Sequence, residues 1–321
     1  MNKMGNINKP LVSIIMPLYN SERFVQESLD SCINQTYRNI EVIVVNDGST
    51  DRSLEIVKDY ALIHPQVKVY TQNNSGACRA RNLAFQLSKG DYIMYLDSDD
   101  ILDETKIEKQ LNLIKSHDKY TVALGAWQEF TDNINVEFES RPYYHDYLNP
   151  IDMLVEIWST GGYFQTSCYL CSREIIEKTG QWNENLSRNQ DGEFFCRVLN
   201  NASKLYFCND AKLYYRRGHE SISTSQINSD KKVESVLESY KTYKNILLNR
   251  QDTRKAREAL GRCYALVMCG VSPYSDYYHR AANEIKLLGV KAKHPKPSFL
   301  VNILCVIIGF PKAIKHTRTY F

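Results

Sequence analysis

Residues 91–103 read DYIMYLDSDDILD, and this stretch sets the fold. Residues 92–96 are an apolar run with no polar alternation, the pattern of a strand buried on both faces. The run drives straight into Asp97, Ser98, Asp99 and Asp100, four side chains that carry oxygen. In open α/β sheets ligands gather beyond the carboxyl ends of the strands, where these oxygens are presented. Carboxylates this close repel one another, and a hard divalent cation relieves the repulsion. A second reading stays open on these residues alone: a solvated turn whose Asp caps an amphipathic helix over 101–114.

Working outward, strand and helix alternate. Residues 12–18 predict a strand, followed by a helix over 21–35 with Phe24, Leu29 and Ile33 inward. A second buried strand over 40–45 ends at Asn46-Asp47-Gly48-Ser49-Thr50-Asp51. A helix over 53–63, a short strand over 67–71 and a helix over 76–88 lead back to Gly90. This alternation predicts an α/β fold with a largely parallel sheet and right-handed crossovers. The carboxyl ends of the first, second and fourth strands then lie side by side. Tyr19 and Asn20 offer an aromatic face and a polar tip for a base. Asp47 can accept from a ring N–H or from ribose hydroxyls, and Gly48 permits the tight turn; an Asp-Gly turn followed by a cap is the structural alternative. Arg79, Arg81 and Asn82 open the third helix, suited to phosphate or to holding Asp97 and Asp99. No P-loop and no dinucleotide fingerprint follows the first strand, so the expected nucleotide site is made of acids and a cation.

The chain has 321 residues and a net charge of +3, and that charge is unevenly spread. Residues 231–321 hold 17 basic and 6 acidic side chains, against 23 and 31 before them. From Lys286 onward seven basic residues face no acidic one, which suits an anionic surface such as the cytoplasmic leaflet of a membrane. MNKMGNINKP has no apolar signal core, so secretion is not expected. Nine cysteines without a disulfide rhythm, mostly in apolar settings, fit reduced and buried thiols, and the lone Cys168-x-x-Cys171 reads as packing.

Beyond residue 103, strands are expected over 122–130, 136–138 and 163–171, with helices over 151–158 and 173–179. Trp127, Tyr143, Tyr144, Trp158, Tyr163, Phe164 and Trp182 are dense here; some are expected to stack on sugar and most to fill core. From residue 231 the pattern is helical over 233–248, 254–269 and 273–288. The apolar run 299–310 falls short of the roughly 20 residues a spanning helix needs. It reads as an interfacial segment with Lys312, Lys315 and Arg318 on headgroups, or as a helix packed on the protein or on a second copy.

Five ordered motifs, VSIIMPLYN (12–20), EVIVVNDGSTD (41–51), SGACRARNLAF (75–85), KGDYIMYLDSDD (89–100) and RNQDGEFFCRVL (188–199), resemble the inverting nucleotide-sugar glycosyltransferases of family 2. The resemblance covers about residues 11–222. It implies the GT-A fold, Rossmann-like with a mostly parallel sheet and flanking helices, in residues 1–225. A nucleotide-binding half spans about 11–103 and an acceptor half about 104–225, with a C-terminal helical region over 226–321. It implies that Pro17 and Tyr19 line the base pocket and that Asp47 bonds the base. Asp97 and Asp99, flanking Ser98, would form the D-x-D, Asp97 near the ribose and Asp99 holding Mn²⁺ or Mg²⁺ on the diphosphate, with Asp100 just behind.

Inverting transfer also needs a base that removes the acceptor hydroxyl proton as the oxygen attacks the anomeric carbon. In the family this carboxylate sits in a Glu-Asp pair at a helix start. Here Gln190 takes the first position, so the role falls on Asp191, followed by Phe194, Phe195 and Arg197, with Glu193 in reserve. An acid placed for the helix dipole is the structural alternative. In similar transferases the tail Tyr214-Tyr215-Arg216-Arg217-Gly218-His219, with Ser221 and Ser223, forms a loop over the diphosphate, which implies arginine, Arg217 above all, for phosphate and His219 for metal or phosphate. The expected reaction passes a sugar from a nucleotide diphosphate, with a lean to UDP, to a glycan or lipid-linked glycan hydroxyl in cell-surface polysaccharide synthesis at the cytoplasmic face of the membrane. Nucleic acid is not an expected partner, and a homo-oligomer stays open. A non-catalytic sugar or nucleotide binder on the same fold, or a nucleotidyltransferase, is the rival; the latter wants a basic Gly-rich loop where Pro17-Leu18-Tyr19 stands.

Overall fold

Strands β1 (Val12–Leu18), β2 (Ile40–Asn46), β3 (Val67–Thr71) and β4 (Tyr92–Tyr95) pair in parallel, because each is joined to the next by a helical crossover. β5 (Ile101–Leu102), β6 (Thr121–Phe130), β7 (Tyr169–Ser172) and β8 (Lys204–Arg216) complete one sheet of eight strands, ordered β3-β2-β1-β4-β7-β6-β8-β5. β7 runs antiparallel to both neighbours, while β6 and β8 are parallel. The mostly parallel α/β architecture expected from the strand–helix alternation is therefore present.

The computed structural model describes residues 9–217 and 229–291. Its helices are α1 (Val25–Ile33), α2 (Ser53–Ile63), α3 (Ala77–Leu87), α4 (Lys106–Ile114), α5 (Pro150–Thr160), α6 (Arg173–Thr179), α7 (Gln190–Asn201), α8 (Asp230–Arg250), α9 (Arg254–Gly270) and α10 (Asp276–Leu287). The chain forms two units. One comprises Met1–Leu148, Phe164–Glu184 and Asn201–His219 and holds the whole sheet; the other comprises Asn149–Tyr163, Asn185–Asn200 and Glu220–Phe321.

In the sheet unit every residue of β2 is buried, and so is every residue of β1 except Pro17. Each fully buried Val or Ile contributes about 1.5–3 kcal/mol, so this continuous apolar run fixes the strands without polar alternation. The chain adds β2 and β3 on one side of β1, then returns to place β4 on the other. Such a reversal opens a crevice at the carboxyl ends of β1 and β4. In register, Ile15 faces Tyr95, which carries Asp97 level with the end of β1.

In the helical unit α9 packs against α5, α8 and α10, with Ala256, Ala259, Gly261 and Ala265 buried on it. Small residues let the helices close tightly; a Cβ at Gly261 would come within 2.8 Å of Val290 Cγ2. Among the described residues no helix is long and apolar enough to cross a membrane. The apolar run 299–310, with Lys312, Lys315 and Arg318, lies outside the described residues, as does His219.

Three local expectations change. Residues 101–102 form β5 against β8 rather than a helix, and α4 starts only at Lys106, where Asp103 accepts from the Thr105 amide at 3.1 Å. No strand forms at 136–138; Phe138 instead sets one ring edge-on to Tyr214 at 5.3 Å. Of the expected strand over 163–171 only the end is extended, because Thr166–Cys168 form a 3-10 turn before β7.

Candidate functional site

The loops that leave β1 and β2 are stapled to one another. Asn20 adopts φ 48°, its amide donates to Ser49 Oγ at 3.1 Å, and its Oδ1 accepts from the Thr50 amide at 2.8 Å. The Glu22 amide donates to Asp51 Oδ2 at 3.1 Å, and Glu22 Oε2 accepts from the Arg52 amide at 2.9 Å. Asn20 is thus committed to holding the rim, while Tyr19 is 49% exposed beside half-buried Pro17.

Asp47 is 4% exposed and builds the other wall. Its Oδ1 accepts from Gln72 Nε2 and the Ser75 amide, both at 2.7 Å, and its Oδ2 from the Gly76 amide at 2.8 Å. A carboxylate offers about four acceptor positions, so one on Oδ2 is left for a ligand. Gly48, at φ +73°, lets the turn close: a Cβ there would sit 2.9 Å from the Asn74 amide nitrogen.

From α3, Arg79 is exposed and Arg81 is buried. Arg81 Nη2 donates to Asp97 Oδ1 at 2.7 Å while its guanidinium lies 4.6 Å from the Trp182 ring centroid. Asn82 fixes that Trp: its Nδ2 donates to the Trp182 carbonyl at 3.0 Å and to Glu184 Oε1 at 2.9 Å, and its Oδ1 accepts from the Trp182 amide at 2.8 Å. Trp182, like Trp127, Tyr143 and Phe164, is core.

The acid turn that follows β4 is tightly held. Ser98 Oγ pairs with Ser21 Oγ at 2.8 Å. Asp100 is 1% exposed and accepts from the Arg216 amide at 3.0 Å, and Arg216 Nε donates to the Asp99 carbonyl at 2.9 Å. The Arg216 guanidinium pairs with Glu27 and lies between the Phe24 and Phe130 rings, 4.8 and 4.5 Å from their centroids. Burial first, and repulsion from Asp97 second, push the Asp99 carboxyl up to about 6. Burial also raises Asp100 well above the carboxylate range, helped by Asp99 and Asp97.

Two arginines therefore leave part of the repulsion standing. Hard oxygen donors whose charged forms disfavour one another fit a hard divalent cation. Among the described residues no three His, Cys, Asp or Glu side chains form a metal cage.

Of the two arginines the sequence places together at the end of β8, Arg216 is the one buried against the acid turn, a distinction the sequence does not draw. Arg217 is exposed and pairs with Glu129 at 3.1 Å. The signal was faint: buried Ala211 and Leu213 mark the inner side of β8, but two half-buried tyrosines interrupt the alternation before Arg216.

In the helical unit, Asn189 at φ 60° turns the chain into α7, whose first turn carries Asp191 and Glu193. Asp191 is half-buried, and its carboxylate makes no hydrogen bond among the described residues. Glu193 is spent: buried, it binds Arg197 through Oε1–Nε and Oε2–Nη2, each at 2.8 Å, and accepts from Thr242 Oγ1 at 3.3 Å.

Residues 13–180 match the family described as glycosyl transferase family 2. An uncharacterized glycosyltransferase of Haemophilus influenzae is 33% identical over 226 residues, which is 70% of this chain and 86% of that protein. The minor teichoic acid biosynthesis protein GgaB of Bacillus subtilis is 30% identical over 255 residues, 74% of this chain and 27% of that protein. The crystal structure of S. aureus TarS 1-349 in complex with UDP-GlcNAc superimposes with a TM-score of 0.62 at 18% identity, covering 87% of this chain and 89% of that one.

Proposed function

The chain belongs to glycosyl transferase family 2, and from that premise we propose that it transfers a sugar from a nucleotide diphosphate to a glycan or glycolipid hydroxyl with inversion. The observation that carries this reading is the turn Asp97-Ser98-Asp99-Asp100 at the switch point of the sheet, with its repulsion only partly neutralised. Tyr19 and Pro17 would take the base, and Asp47 would accept from it with its remaining lone pair. Asp97 would meet the ribose, while Arg79, Arg217 and His219 would meet phosphate, His219 as a second metal ligand beside Asp99. A divalent cation, Mn²⁺ or Mg²⁺, would supply positive charge for the departing diphosphate.

In the transfer the acceptor oxygen bonds to the anomeric carbon, its proton passes to Asp191, and the bond from that carbon to the phosphate oxygen breaks with the electron pair leaving on the diphosphate. Asp191 is preferred over Glu193 because its carboxylate makes no hydrogen bond among the described residues, whereas that of Glu193 is paired with Arg197. The UDP lean draws support from the TarS complex, and a cell-surface polymer as the product draws support from GgaB. Nucleotide release from UDP-, GDP- and dTDP-sugars with Mn²⁺ tests the proposal. One nucleotide is expected to be released above background, and a chain that binds a donor without releasing nucleotide would be a binding protein instead.

Residues 1–225 would form the catalytic part and residues 226–321 a helical region whose basic tail would lie on the cytoplasmic face of a membrane. Deleting residues 299–321 is expected to move the protein from sedimenting vesicles containing phosphatidylserine to the supernatant. Continued sedimentation would assign the tail to packing.

A further inference from the structure

We infer that α8 positions the catalytic carboxylate, through a ladder of Ser235, Ser239 and Tyr243 that grips the three residues ahead of α7; this rests on the reading of Asp191 as the base. The three side chains are spaced four residues apart, so they stand above one another on a single helix face. Ser235 Oγ accepts from the Ser187 and Arg188 amides at 3.0 and 2.9 Å and donates to the Arg188 carbonyl at 2.7 Å. One hydroxyl has one proton and two lone pairs, and all three are spent on this one segment. Asn189 Nδ2 then donates to Ser239 Oγ at 2.7 Å and to Tyr243 Oη at 2.9 Å. Ser239 sends its own proton to the Val236 carbonyl at 2.7 Å, which leaves its lone pair for Asn189.

Ser239 and Tyr243 are buried, and buried hydroxyls on a packing face cost stability unless they are paired. Their pairing is with a residue held at φ 60°, two positions before Asp191. The Tyr243 ring is itself fixed by Trp158, stacked at 4.3 Å and 17°. The fit leaves no slack on the far side: a Cβ at Gly192 would meet Tyr243 Oη at 2.0 Å and Asn189 Oδ1 at 2.6 Å. Asn189, two positions before Asp191, and Gly192, directly after it, thus both lie against α8. A helix that reads as part of a C-terminal appendage becomes part of the machinery that aims the base.

Tyr243→Phe keeps the ring and its stack on Trp158 and removes one hydroxyl, so it tests aim rather than packing. Turnover, read as nucleotide release from the sugar nucleotide that the wild type uses best in the UDP, GDP and dTDP panel, should fall roughly 10- to 100-fold, the scale expected when a catalytic group is displaced by about 1 Å. Donor KM should stay within about threefold, since the ladder touches none of the groups assigned to the nucleotide. In an Asp191→Asn background the same change should cost nothing further, because a positioning residue acts only through the group it positions. Wild-type turnover in Tyr243→Phe, or an equal fractional loss on top of Asp191→Asn, overturns the ladder. Should Tyr243→Phe melt below assay temperature, Ser239→Ala carries the same comparison. If Asp191→Asn alone turns over like the wild type, the base assignment falls instead, whatever the ladder variants do.

Discussion

Asp191→Asn is expected to leave the protein folded and able to bind its donor while turnover falls about 10²- to 10⁴-fold, the range a general base contributes, or about 2.7–5.5 kcal/mol of barrier. The amide matches the carboxylate in shape but cannot take a proton. The change removes one negative charge from the first turn of α7, which costs no more than about 0.3–1 kcal/mol of helix stability. Glu193 cannot substitute, because its carboxylate is buried in its two-point pair with Arg197. Glu193→Gln should therefore lower the melting temperature, whereas Asp191→Asn should lower kcat. Steady-state nucleotide release and donor titration on both variants separate the two, and Asp191→Asn turning over within a few-fold of the wild type would remove it from the mechanism.

What the sequence disclosed follows from how far each signal reaches. β1, β2 and β4 announce themselves because strands buried on both faces need unbroken apolar runs, and α2 falls at Ser53–Ile63 as its periodicity requires. Ile101 and Leu102 misled because two apolar residues fit a helix face as well as a strand, and their partner Tyr214-Leu213 lies more than a hundred residues away. The grip of Arg216 on the acid turn was invisible for the same reason: only the folded sheet brings its amide to Asp100 and its guanidinium to the Asp99 carbonyl. Ser235, Ser239 and Tyr243 look like the polar side of an amphipathic helix, and burial against the segment ahead of Asp191 is a tertiary fact that no local pattern encodes. The acid turn after β4 could be read in the sequence; the side chains that hydrogen-bond to it, and to the segment ahead of α7, could not.

Asp99→Ala is expected to abolish cation-dependent donor binding while the empty protein melts at the same temperature or higher. The two halves have one cause. Without a bound ligand, Asp99 sits partly desolvated beside Asp97, and both effects disfavour its charge. Removing it therefore relieves repulsion, and the turn does not depend on its side chain: Arg216 grips the Asp99 carbonyl and the Asp100 carboxylate, and Arg81 grips Asp97. A ligand present at about 100 times its dissociation constant stabilises a fold by about 2.7 kcal/mol. Wild-type protein should show that rise with Mn²⁺ plus its donor, and Asp99→Ala should lose most of it. Arg81→Met should do the opposite to the empty protein, leaving Asp97 unpaired and lowering its melting point, because stripping the partner from a half-buried charge costs more than the pair contributed. Scanning calorimetry with and without Mn²⁺ reads all of these quantities. An Asp99→Ala protein that melts lower when empty, yet still gains the full rise with Mn²⁺ and donor, would show that Asp99 only shapes the turn and that the charge on the diphosphate is met elsewhere.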